Sequence, residues 1–172
     1  MPSLFRHRFR WHDDRVLVDL PGEEEEMLRH VLPQFRDLLI DDTDPALRRL
    51  RPTARPDDDE AEAAFRALVD DDLLRSRLEA IETVEAGIGG TSLDDEGVGA
   101  WMHSLNALRL VLGERLDITA IGHDALDDLP DSDDRSGLVA LYEWLGWLLE
   151  QLVAAAANGI ADDDPGEATD ER

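Results

Sequence analysis

The stretch from Arg135 to Ala157, RSGLVALYEWLGWLLEQLVAAAA, places the strongest constraint on the fold. Leu138, Leu141, Leu145, Leu148, Leu149 and Leu152 recur at three- and four-residue spacing, while Val139, Trp144 and Trp147 coat other faces. A helix apolar on nearly every side needs neighbours on several of them. It is therefore expected to be the central rod of a helical domain. Glu143, Glu150 and Gln151 interrupt it, and its pure apolar runs are too short to span a bilayer, so no membrane role is expected.

The rest of the chain supplies the neighbours. Phe5, His7, Phe9 and Trp11 alternate with Arg6, Arg8 and Arg10. The chain then turns at His12-Asp13-Asp14 and returns through Val16, Val18 and Leu20, which predicts a β-hairpin over 5–20. Glu23 to Glu26 open a helix with the stripe Met27, Leu28, Val31, Leu32, Phe35, Leu38 and Leu39, and Pro33 inside it predicts a kink. The stripe Ala61, Ala64, Phe65, Leu68 falters at Asp70-Asp71-Asp72 and resumes from Leu74 to Ile88, predicting two helices with a break at the aspartates. Gly89-Gly90 ends the second. Ser92 with Asp95 resembles a capping box for the next helix, which carries Trp101, Met102, Leu105, Leu108, Leu112 and Leu116. The expected fold is mainly α: a single helical-bundle domain of about five to six helices over 1–160 with a short N-terminal β-hairpin. An acidic tail, 161–172, is expected to be disordered.

Charge and residue usage exclude several function classes. The 172 residues hold 41 acids against 17 basic residues, every one an arginine, for a net charge of −24. Such a surface repels nucleic acid and anionic membranes, so direct nucleic-acid binding is not expected. The opening MPSLFRHRFRW has no continuous apolar segment, is not read as a signal peptide, and leaves a cytoplasmic location as the expectation. Without cysteine there are no disulfides, thiolate zinc sites or Cys nucleophiles. Without lysine the usual P-loop is excluded, and neither HExxH nor GxSxG occurs. Gly87-Ile88-Gly89-Gly90 follows a helix rather than a strand and reads as a helix end. His7, His12, His30, His103 and His123 share no helical pair spacing. Asp131-Ser132-Asp133-Asp134 begins like a calcium loop, but Ser136 and Tyr142 stand where glycine and a bidentate glutamate are wanted. No catalytic residue, cofactor or metal is expected.

Two features stand above this background. Arg48, Arg49, Arg51 and Arg55 lie in an acid-free linker that suits an acidic partner peptide or a phosphate. The excess of acids favours the other reading, internal pairing, and Arg6, Arg8 and Arg10 pose the same choice. Gly113 and Gly146 sit inside apolar helices, where each costs about 1 kcal/mol against alanine. They predict close backbone packing or room for a facing Trp, and Trp144 and Trp147, if exposed beside a groove, would form a partner surface. The alternative site is a polar pocket of His103, Arg109 and Tyr142.

The segments ALRRL (46–50), DDLLRSRLEAIETVEA (71–86), AWMHSLNALRLVLGERLDI (100–118) and LYEWLGWLLEQLV (141–153) resemble an actinobacterial family of unknown function. The resemblance covers most of 5–155, and one branch of that family is an oxidation-sensing transcriptional regulator. It implies a non-enzymatic cytoplasmic interaction protein, an accessory transcriptional regulator whose partner is a sigma factor or another transcription protein. That branch senses oxidation through a cysteine pair, which this sequence lacks, so the thiol switch does not carry over. The alternative is a small-ligand-binding protein or enzyme with a polar pocket between helices. A third reading gives the acidic loop 117–134 a cation. A homodimer through the Trp-rich helix stays open.

Overall fold

Two strands, β1 (Phe9–His12) and β2 (Arg15–Val18), pair antiparallel with Phe9 opposite Val18 and Trp11 opposite Val16. Asp13 and Asp14 join them with φ of 49° and 59°, the left-handed pair that a two-residue turn needs to match strand twist. The computed structural model describes residues 7–51, 57–118 and 133–162, with side chains described to 159. Phe5 and Arg6, Arg55, most of the acidic loop and the acidic tail from 163 lie outside the described residues, while 161 and 162 are helical. A third strand that the sequence does not announce, β3 (Ser92–Leu93), pairs with β2 and makes a sheet of order β1-β2-β3. Ser92 is thus a strand residue rather than a helix cap. The capping role falls to Asp94, whose Oδ1 accepts from the Gly97 amide at 2.9 Å.

The fold is mostly helical, as expected, with the hairpin at its N-terminal end. Helix α1 (Gly22–Asp41) opens on Glu23, Glu24 and Glu25 and runs through Pro33 to Asp42, which takes a left-handed φ of 52°. A 3-10 helix (Pro45–Leu50) follows, capped by Asp44 through the Ala46 amide at 2.7 Å. Helix α2 (Asp59–Gly87) is continuous, so the expected break at Asp70-Asp71-Asp72 does not occur. Aspartate costs a helix interior less than about 1 kcal/mol, far from the penalty of proline. Asp72 also pairs with Arg75 across one turn at 2.6 Å. The stripe faltered for another reason. The buried residues of α2 are Ala80, Ile81, Val84 and Gly87, and Leu68 is 78% exposed.

Helix α3 (Asp95–Arg115) rather than the Trp-rich helix α4 (Ser136–Asp162) is the central rod. It packs on α2, α4, the 3-10 helix and β3, while α4 packs on α3 and the hairpin strands. Trp101, Leu105, Leu108, Val111 and Leu112 are all buried, and the Phe9 ring meets Trp101 edge-on at 5.6 Å. Leu145, Leu148 and Leu152 bury one face of α4 completely, whereas Trp147 and Val153 on its other side are exposed. Over Ser136–Gly159, α4 is long and apolar enough to cross a bilayer by length and composition, its three interruptions notwithstanding. Here Leu145, Leu148 and Leu152 are spent on the core of the bundle, with 33% of that apolar window buried.

Candidate functional site

The described linker arginines, Arg48, Arg49 and Arg51, pair with acids of the same chain. Arg48 and Arg49 both pair with Glu114 on α3, and Arg51 pairs with Asp42. Arg115 donates to Asp44 at 2.5 Å, and this bond, with the Ala46 amide, holds the Asp44 carboxyl below its ordinary value. This is the internal pairing that an excess of acids favours. On the hairpin, Arg8 grips both carboxylate oxygens of Glu24 at 3.0, 3.0 and 2.7 Å, which raises its own pKa. The same guanidinium lies over Trp147, 5.2 Å from the ring centre. Trp147 is therefore the lid of a clasp joining the hairpin to α1 and α4, and it stays 38% exposed.

The polar triad of the alternative reading is only partly assembled. The Arg109 guanidinium carbon sits 4.4 Å over the Tyr142 ring at the α3–α4 contact. His103 faces α2 instead, where loss of hydration first and Arg77 second push its pKa below 6.5. Arg77 donates to the Leu50 carbonyl, and burial followed by the Arg51 charge lowers its own pKa. Arg77 and Arg51 line a cavity of about 230 Å³ with Asp42, Asp70 and Asp71, so charge of both signs meets there. The glycines singled out in the helices do mark close approach, and the side chains nearest to them are Arg109 and Tyr142. A β-carbon at Gly146 would lie 3.0 Å from Arg109 Nε, and one at Gly113 would touch the Tyr142 ring at 3.4 Å. Among the described residues no three His, Asp or Glu side chains converge as metal ligands.

A groove of about 830 Å³ is bounded by α1, α3 and α4; the sequence offered a groove beside Trp144 or Trp147, but not its α1 wall or α3 floor. Buried Phe35, Leu108, Val111 and Leu112 form its floor. Met27, Val31, Gln34 and Leu38 make the α1 wall, and Leu138, Leu141 and half-buried Trp144 make the α4 wall. Of the five described tryptophan and arginine positions singled out as partner contacts, Trp144 alone lines it. His30 and Arg115 are the ionisable side chains among its described lining residues, and no carboxylate is present there. Each stripe was legible in the sequence, but the gap between α1 and α4 depends on how the helices are spaced, which periodicity does not encode.

Known proteins share sequence similarity with most of this chain. A family described as a domain of unknown function, DUF2017, matches residues 6–156. The oxidative stress regulators AosR of Mycobacterium tuberculosis (strain H37Rv) and Mycobacterium bovis are 31% identical over 138 residues, covering 77% of this chain and 58% of theirs. A putative oxidative stress regulator AosR of Mycobacterium leprae is 31% identical over 136 residues with the same coverage. The match thus spans little more than half the length of these relatives. No solved structure matches the chain.

Proposed function

The chain belongs to the DUF2017 family, and from that premise we propose that it is a non-enzymatic cytoplasmic regulator acting through protein contacts with the transcription machinery. Relatives that carry the name of oxidative stress regulator support the regulatory part of the reading. The observation that carries the contact part is the groove. It offers apolar walls beside a half-buried Trp, and its described ionisable lining, His30 and Arg115, holds no nucleophile with a base. A surface of net charge −24 argues for basic protein surfaces rather than a nucleic-acid backbone as its counterpart. Within these 172 residues no thiol exists, so regulation here runs without a cysteine switch.

The test is direct binding of the purified chain to sigma factors and core RNA polymerase purified from the same cell, beside transcript profiling of a deletion strain. The expected result is a complex with a Kd of about 1 μM or tighter and a changed transcript set. Absence of both would overturn the reading.

A second reading, small-ligand binding, is favoured by the groove volume, which falls within the roughly 300–1,000 Å³ typical of ligand sites. A thermal-shift screen against small apolar acids and amines tests it: a reproducible rise in Tm that Leu138→Glu removes supports it.

A further inference from the structure

The occupant of the groove follows from its shape and from the charges on its lips. Met27, Val31, Gln34 and Leu38 follow one another along three turns of α1, a wall about 16 Å long at 1.5 Å per residue. That length matches about three turns of a second helix laid between α1 and α4, with its side chains reaching the floor of α3. The described floor and walls present apolar surface, with His30 and Arg115 as their ionisable side chains, so the occupant brings an apolar ridge. The lips are the opposite. Glu23, Glu26, Asp37 and Asp41 are exposed along the outward flank of the α1 wall, and exposed Glu143 stands on α4. A helix seated in the groove therefore sets one flank against the row of carboxylates on α1.

We propose that this groove is the docking site for an amphipathic helix of a partner protein, with an apolar ridge at i, i+3/i+4, i+7 and Lys/Arg on its flanks. The assignment rests on the reading of the chain as a protein-binding regulator and specifies the partner's chemistry. A second copy of this chain fits poorly, because it brings further acid to lips already lined by acid. Basic flanks also raise the rate of encounter with a surface of this charge and reject acidic competitors.

The experiment uses the full chain and two synthetic 18-residue helical peptides that share one leucine ridge, one with Lys/Arg flanks and one with Glu flanks. Fluorescence anisotropy is expected to give a Kd of about 10 μM or tighter for the basic peptide and binding at least about tenfold weaker for the acidic one. Met27→Glu and Leu138→Glu are each expected to weaken the basic peptide about tenfold. Glu26→Lys with Asp37→Lys is expected to weaken it by about threefold at low salt and less at high salt. Met27, Glu26 and Asp37 are exposed, so these variants keep the fold, with circular dichroism as the check. Equal binding of the two peptides, no binding of the basic one, or binding unmoved by Met27→Glu would overturn the proposal. So would a homodimer in sedimentation that Leu138→Glu dissolves. A transcription protein that binds wild type and Met27→Glu equally would remove the groove and leave the regulatory reading. Peptide binding without any transcription partner would support the groove and remove that reading.

Discussion

The indole of Trp11 rests against Gly159: a β-carbon at that position would fall 2.5 Å from Cη2 and 2.6 Å from Cζ2 of the ring. The contact ties β1 to the last turns of α4, far apart in sequence, and it works only because residue 159 has no side chain. Replacing a helix glycine with alanine ordinarily stabilises by about 1 kcal/mol. Here the overlap with a ring already packed on the core reverses the sign, since overpacking costs about 1–3 kcal/mol. Gly159→Ala is expected to lower stability by about 1 kcal/mol in urea denaturation. A stabilised variant would mean that the indole moves aside freely.

Arg109 leads to a less intuitive expectation. Its Nε is buried and has no hydrogen-bond partner among the described residues, although its guanidinium gains the face of Tyr142. The cation–π contact is worth about 0.5–2 kcal/mol, and the orphaned donor costs about 1–3 kcal/mol. These nearly cancel. Arg109→Met, which keeps most of the packing volume and removes the donor, is expected within about 1 kcal/mol of wild type. Arg109→Ala is expected to cost about 2 kcal/mol or more through the cavity it leaves beside Gly146 and Tyr142. Equal losses in the two variants would show that the charge itself matters to folding.

Near neutral pH, His103 gives the stability curve its slope. Its folded pKa lies below 6.5 because lost hydration and Arg77 both disfavour the imidazolium. Below 6.5 the unfolded chain therefore binds the proton more readily than the folded one. This group's contribution to stability is complete above 6.5 and falls as pH drops through the window between 6.5 and the depressed value. Urea midpoints at pH 7.5 and pH 5 are expected to differ in wild type, with the difference reduced in His103→Gln. Asp44, depressed by Arg115 and the Ala46 amide, loses its contribution only below 3.8, so the two windows stay apart.

What the sequence made legible was local. The alternation around Phe9 and Trp11 located the hairpin, and the stripes of α1 and α3 named residues that are now in the core. Gly113 and Gly146 signalled close approach before any partner was known. The failures were matters of tertiary placement. The run of aspartates in α2 looked like a break because their neighbours lose their apolar stripe, but the stripe is absent where α2 projects from the core, with Leu68 exposed. The all-round apolarity of α4 suggested the centre, yet α3 holds it, and the surplus apolar surface of α4 lines a groove instead. Gly159 gave no signal at all, because nothing in its own sequence neighbourhood says that Trp11 arrives there.

Met27 connects the groove to oxidation chemistry in a chain without thiols. It is 45% exposed and lies on the α1 wall, where a partner's apolar ridge would rest. Hydrogen peroxide transfers one oxygen atom to a thioether and leaves as water, giving a sulfoxide that is polar and poorly suited to an apolar contact. Met102, the other described methionine, is partly buried against the core, so Met27 is expected to react first. Peroxide treatment is expected to weaken the basic-flanked peptide several-fold, on the order of 1 kcal/mol for one polar atom placed against apolar surface. Met27→Leu keeps the apolar wall and offers no sulfur at this position, so its affinity is expected to survive the same treatment. Intact-mass spectrometry fixes the stoichiometry: one added oxygen should accompany the loss in wild type, and methionine sulfoxide reductase should restore binding. If Met27→Leu loses affinity to peroxide as wild type does, the sensitive group lies elsewhere in the chain.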